Sequence, residues 1–252
     1  MLRRLAFALA SGLLACSSDS TGEGPSSSSG GAASSSGATS GGSVPDAVAD
    51  ASADAALPSA PLEVPAGYTR LEFLSATREV EFERAELVLQ PDRDYVAVLE
   101  TSSGRIVLDL YEQQTPIAVN SFVFLALHHF YEQVAFHRVI AGFMAQTGDP
   151  NSVAGRPSSW GNGGPGYSFT TESVAELKFD GPGMLGMARA QSRESNGSQF
   201  FITFAAQESL DGEYTVWGKV TEGLEVLPSV VRGEPPAAPT RILRVAVGVK
   251  PR

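Results

Sequence analysis

Between positions 136 and 149 one guanidinium and one amide stand among phenylalanines and a methionine, in the order Phe136-His137-Arg138-Val139-Ile140-Ala141-Gly142-Phe143-Met144-Ala145-Gln146-Thr147-Gly148-Asp149. An apolar lining with a few placed donors suits a socket for a proline ring. A prolyl amide resists rotation by about 18–20 kcal/mol, because the nitrogen lone pair is delocalised into the carbonyl. That conjugation is lost in the twisted state, where the nitrogen accepts a hydrogen bond more readily. Catalysis of the rotation needs three things: a socket for the ring, a donor that grips harder as the bond twists, and polar anchors for the carbonyl side. Arg138 suits the donor role, being always charged, rigidly forked and independent of proton transfer. Gln146 lies two strand positions beyond Met144, so it can share a face with that side chain and hydrogen-bond either substrate or Arg138.

A second block reads Asn196-Gly197-Ser198-Gln199-Phe200-Phe201-Ile202. In this order and composition the two blocks resemble the two signatures of the cyclophilin family of peptidyl-prolyl cis-trans isomerases. Matched residue by residue, the resemblance gives Arg138 the catalytic role. It places Phe143, Met144, Phe201 and Leu210 around the proline, with Gln146, Gln199, the backbone near Ala188 and Arg189, and Tyr214 completing the substrate site. Coverage runs from about Tyr95 to Val249. The implied fold is mainly β, a closed eight-stranded antiparallel barrel capped by two helices, with no cofactor and with proline-containing polypeptides as partners. Departures from the pattern are expected on the rim: Ala141 stands where proline is usual, Thr147 where glycine is usual and Arg189 where asparagine is usual. Tyr214 stands where many members have histidine. A binding module that grips proline segments without turnover is the rival, and it has no reason to keep Arg138 with Gln146 and Phe201.

Other apparent motifs lead nowhere. Gly161, Gly163 and Gly166, and again Gly181, Gly183 and Gly186, fit a G-x-G-x-x-G string, but neither opens a helix after a strand, so both sets read as turn glycines. His137 reads as a structural histidine. His128 and His129 have no Cys or further His at ligand spacing, so no metal site is expected.

The elements that must position these groups are short. Tyr95–Glu100 and Arg105–Tyr111 flank Thr101-Ser102-Ser103-Gly104, and Ile106, Leu108 and Leu110 alternate with less apolar neighbours, which predicts a half-buried hairpin. Thr115 and Pro116 make an N-cap and first-turn pair for a helix over about 116–128. Beyond it, Ala135–Ile140, Phe143–Gln146, Met184–Ala188, Phe200–Phe204, Val216–Val220 and Ile242–Val249 are apolar runs between glycine loops, which predicts further strands. The family's second helix would fall on Leu224–Val231, where Pro228 is a poor guest. Residues 63–93 lie outside the resemblance, and the apolar positions Leu71–Leu74, Val80, Phe82 and Leu87–Leu89 predict an extra hairpin or a packing arm. Residues 94–252 form the isomerase-like domain, expected to act as a monomer.

The N-terminus carries Arg3 and Arg4, then an apolar run from Leu5 to Ala15, too short to span a bilayer. Leu13-Leu14-Ala15-Cys16 resembles a bacterial lipobox, so residues 1–15 are read as a leader and Cys16 as the acylated residue and lipid anchor to a membrane. Ser17 after it favours the outer membrane facing the periplasm, by resemblance to lipoprotein sorting. Cys16 is the only cysteine, which leaves no disulfide. From Ser17 to Leu62 there is no Lys, Arg or aromatic residue, so residues 16–62 read as a disordered Ser/Gly/Ala-rich tether. The net charge is −10, and nucleic acid is not an expected partner.

Overall fold

This computed structural model describes residues 60–252. The leader, Cys16 and the tether up to residue 59 lie outside the described residues. Among the described residues nine strands form one sheet: β1 (Thr69–Arg70), β2 (Arg93–Thr101), β3 (Gly104–Leu110), β4 (Arg138–Ile140), β5 (Met144–Thr147), β6 (Met184–Met187), β7 (Phe200–Thr203), β8 (Val216–Glu222) and β9 (Ile242–Pro251). Among the described residues there is one α-helix, α1 (Pro116–Leu127). The spatial order is β1-β9-β2-β3-β8-β6-β7-β5-β4.

The strand count and the second helix are corrected. Nine strands replace eight because the segment ahead of the barrel-like region adds β1, which pairs Thr69 with Val249 and Arg70 with Gly248. The ladder is also not closed, since β1 and β4 end the sheet. Along the seam, Gln133 N donates to Ile242 O at 2.7 Å, Phe136 N to Thr240 O at 2.8 Å and Val139 N to Gly233 O at 2.8 Å. A continuous ladder cannot form there because Pro235, Pro236 and Pro239 remove donors from the facing chain. The second helix is likewise not an α-helix. Leu224–Ser229 is a 3-10 turn with Pro228 inside it, as the lost donor dictates.

The hairpin forms as expected. Thr101 faces Gly104 across Ser102-Ser103, and the Thr101 hydroxyl donates to Gly104 O at 2.6 Å. Both faces of β2 are buried, and each has its own cover. Tyr95, Ala97 and Leu99 enter the main core, whereas Val96 and Val98, with Val107, meet Leu62, Val64 and Tyr68. The segment before β2 therefore works as a packing arm, not a hairpin. Farther along it, Phe73 stacks on His129 at 3.8 Å, and Phe82 packs edge-on against Phe124 and His128. Asn120 of α1 accepts from Val88 N and donates to Glu86 O. With core on one side and arm on the other, α1 is apolar nearly all round, and from Ala118 to Leu127 every residue but Asn120 is buried.

Thr115 sits at the N-cap position of α1 but makes no side-chain cap bond. The free N–H groups of Ile117 and Ala118 instead donate to the Glu172 carboxylate at 3.1 and 2.8 Å. Under the helix, Phe122 contacts Tyr131, Phe200 and Trp217 at centroid distances of 5.0, 5.7 and 4.8 Å, the centre of the main core.

Candidate functional site

The ladder registers explain how the site assembles. Arg138 pairs with Gln146, Gln146 with Phe201, Phe201 with Gly186, and Gly186 with Val216. Residues directly across antiparallel strands project on the same face, so guanidinium, amide and ring stand in one row. Met144, two residues from Gln146, shares that face. Gly186 is thus not a turn glycine: it lies within β6, and a Cβ there would sit 2.1 Å from Phe201 Cζ. Its missing side chain makes room for the Phe201 ring.

This face carries a small core separate from the main one: Met144, Phe179, Phe201 and Val216 are buried, with Phe143, Leu210 and Tyr214 packed against them. Phe201 stacks on Phe179 at 5.5 Å and meets Tyr214 edge-on at 5.9 Å. Between them opens a pocket of about 120 Å³ lined by Arg138, Phe143, Met144, Gln146, Ala188, Arg189, Phe201, Leu210 and Tyr214. Every substrate-site residue expected from sequence is there except Gln199. That one lines an adjoining cavity of about 370 Å³, which shares Gln146, Ala188 and Arg189 with the pocket.

The polar groups are held in three ways. Arg138 is about two-fifths exposed, and its Nε donates to Glu234 Oε2 at 2.8 Å. No other partner of Arg138 exists among the described residues, so both Nη groups are unengaged. Gln146 does not reach Arg138. Its Nε2 donates to Gln199 Oε1 at 3.0 Å, and Gln199 Nε2 donates to Gly161 O and Gly163 O, which ties the amide row to the glycine loop. Arg189 is deeply set, with 9% of its side chain exposed, and spends its donors on backbone carbonyls and, at 3.4 Å, on the Glu213 carboxylate. Nε and Nη2 bond Glu213 O, and Nη1 bonds Ala190 O and Gln191 O, while the guanidinium lies over Tyr214 at 4.6 Å. It braces the pocket wall. The N–H groups of Ala188 and Ala190 are also used internally, on Gln199 O and Ser195 Oγ.

Burial holds the Tyr111 phenol up, to about 12, with Asp109 and Asp180 adding to it. His137 is buried, and burial pushes its imidazole below the ordinary value of 6.5. Among the described residues no cluster of His, Cys, Asp and Glu is arranged to hold a metal ion.

Sequence reasoning missed Glu234 and Phe179. Glu234 lies in a loop 96 residues from Arg138, and nothing local marks it. For Phe179 a signal existed: an apolar ring amid the polar Lys178-Phe179-Asp180 run needs a buried place.

Comparison with known proteins agrees with this geometry. The family model "Cyclophilin type peptidyl-prolyl cis-trans isomerase/CLD" matches residues 96–247. A Helicobacter pylori peptidyl-prolyl cis-trans isomerase is 42% identical over 140 residues, covering 55% of this chain and 81% of the relative. The human peptidyl-prolyl cis-trans isomerase-like 1 is 41% identical over 144 residues, covering 56% of this chain and 80% of the relative. Among solved structures, a Cryptosporidium parvum cyclophilin type peptidyl-prolyl cis-trans isomerase superposes with a TM-score of 0.54 at 31% identity, covering 61% of this chain and 97% of that one. A second structure of that protein, determined in the presence of the dipeptide Ala-Pro, gives a TM-score of 0.54 at 32% identity, with 60% and 98% covered.

Proposed function

Because the chain belongs to the cyclophilin-type peptidyl-prolyl cis-trans isomerase family, and so catalyses rotation about Xaa-Pro bonds, we propose that Arg138 is its transition-state donor and the 120 Å³ pocket its proline socket. The observation that carries this reading is the single row Arg138, Gln146, Phe201 across three strands. Phe201, Met144, Phe143 and Leu210 take the ring. Pairing with Glu234 fixes one edge of the guanidinium and leaves the Nη groups for the prolyl nitrogen as it loses conjugation. A donor that bonds the twisted amide better than the planar one lowers the barrier, and no proton need move. Gln146, steadied by Gln199, holds the carbonyl side.

The test follows isomerisation of a short Xaa-Pro peptide by the full chain without a coupling protease. Arg138→Ala is expected to lower kcat/KM by about 10²- to 10³-fold, the usual loss for a preorganised transition-state donor. Arg138→Lys restores only part of it, since an ammonium lacks the fork that serves Glu234 and substrate together. Full activity in Arg138→Ala overturns the assignment.

Beyond the domain, the reading is of a monomeric isomerase anchored through acylated Cys16, on the outer membrane facing the periplasm, acting on exported or unfolded proteins. Its support is the Arg3-Arg4 start, the Leu13-Leu14-Ala15-Cys16 sequence, Ser17 and the polar tether. Metabolic labelling with a fatty acid is expected to mark the protein and to fail in Cys16→Ser. We also read the seam bonds between 133–139 and 233–242 as completing a barrel that the ladder alone leaves open.

A further inference from the structure

Arg138 borders two open spaces. One is the proline socket; the other is a cleft of about 300 Å³, whose walls include His137, Pro157, Trp160, Glu234 and Pro235 and which shares Arg138 and Gln146 with the socket. The 370 Å³ cavity shares Gln146 with both and Gly161 with the cleft, so the three spaces meet around Gln146. An extended chain advances about 3.3–3.6 Å per residue, so residues flanking a proline seated in the socket come within reach of the adjoining spaces.

The cleft is a built feature. His137 is 4% exposed, yet neither ring nitrogen has a hydrogen-bond partner, a rare condition for buried polar atoms. Trp160 is partly exposed, and its indole N–H donates to Gly155 O at 2.9 Å, which fixes the ring on its loop. The loop is itself pinned, since the fully buried Asp149 accepts from Asn151 N at 2.8 Å and from Gly161 N. Pro157 and Pro235 add apolar edges. Glu234, the one acidic side chain in this wall, is already neutralised by Arg138, so the cleft does not select a cation. A fixed indole and two prolines, with the one carboxylate already paired, suit an uncharged peptide segment carrying an aromatic side chain.

We infer that this cleft is a second substrate subsite, taking an aromatic residue that flanks the proline on one side, with its ring on Trp160. The inference rests on the isomerase reading and extends it to substrate preference. Preorganisation of the loop keeps the ordering cost of such a contact low.

The experiment uses the full chain and capped hexapeptides with one central proline, otherwise alanine, in which phenylalanine replaces each of the two neighbours on either side in turn. On one flank phenylalanine is expected to raise kcat/KM about tenfold over alanine, the size of an aromatic contact with its buried area. Of the two tryptophans, Trp217 is wholly buried, so binding of that peptide should change the emission of Trp160. In Trp160→Ala, confirmed folded by its melting curve, the gain should fall below about twofold. In Trp160→Phe the emission change should vanish while most of the gain remains. A gain undiminished in Trp160→Ala, or no flanking position that yields one, overturns the inference. Loss of turnover on the all-alanine peptide with the emission change intact is a failure of Arg138's catalytic role and leaves the subsite standing.

Discussion

The two walls of the site are built on different principles. One is the strand wall, where Arg138, Met144, Gln146 and Phe201 are placed by ladder registers on β4, β5 and β7. The other is the loop wall, residues 149–167, 188–196 and 233–235, where backbone is held by side chains: Asp149 on Gly161, Gln199 on Gly161 and Gly163, and Arg189 on Glu213, Ala190 and Gln191. A ladder positions a side chain through many repeated backbone bonds. A pinned loop depends on a few individual side chains, so one substitution can move it, and it can change without unfolding the sheet.

Two glycines test the contrast most sharply, because a Cβ would meet another atom at 2.1 Å in each: Phe201 Cζ for Gly186 and Asp149 Oδ1 for Gly163. Gly186 lies between β7 and β8, and the ring it faces is stacked on Phe179, so nothing there can give. Gly186→Ala is expected to lower kcat/KM by on the order of 10²-fold, since about 1 Å of misplacement can cost that much. Overpacking should also lower stability by about 1–3 kcal/mol. Gly163→Ala should shift only the loop, with a loss of about threefold or less by the same reasoning. Equal losses in steady-state assays of the two variants would dissolve the distinction between the walls.

Glu234 is the point where the walls meet, a loop side chain gripping the strand-borne Arg138. The pair is half exposed, and such pairs contribute about 1 kcal/mol or less. Glu234→Ala is therefore expected to lower kcat about three- to fivefold through a less ordered Arg138, with Tm nearly unchanged, and the difference from the parent should shrink as salt rises. Glu234→Gln, which still accepts from Nε, should recover part of the rate. A loss confined to KM would show that Glu234 touches substrate and does not orient Arg138.

The same contrast sets what the sequence reveals. Period-two alternation marked β3, and apolar runs between glycines marked β5 to β8, because a ladder leaves a repeating trace in composition. Helix α1 was visible from Pro116 onward, but its cap was not, since Glu172 acts from 54 residues beyond Ala118. The second helix failed at Pro228, and the strand count failed at β1, two residues long and without a pattern of its own. In the site, the row through Arg138, Gln146 and Phe201 was legible from two motifs. The bonds of Gln199 to the glycine loop, the grip of Glu234 and the support of Phe179 were not, because each joins residues that no local spacing connects.

His137 offers the finest test, as it sits on β4's approach yet faces the pinned loop. Burial, the largest influence, and Arg138 beside it lower its imidazole, and together they outweigh Asp149, the Ala135 backbone and Gln199, holding it below the ordinary 6.5. A lowered value means that the folded state binds fewer protons than the unfolded one near that pH. The stability this contributes is present above about pH 6.5 and is lost as pH falls through the lower folded value. His137→Gln cannot titrate, so its Tm should fall less steeply than the parent's between about pH 7 and pH 5, by a difference of no more than about 4 °C. Parallel slopes would mean that His137 titrates alike in both states, and hence that the loop wall leaves its ring open to water.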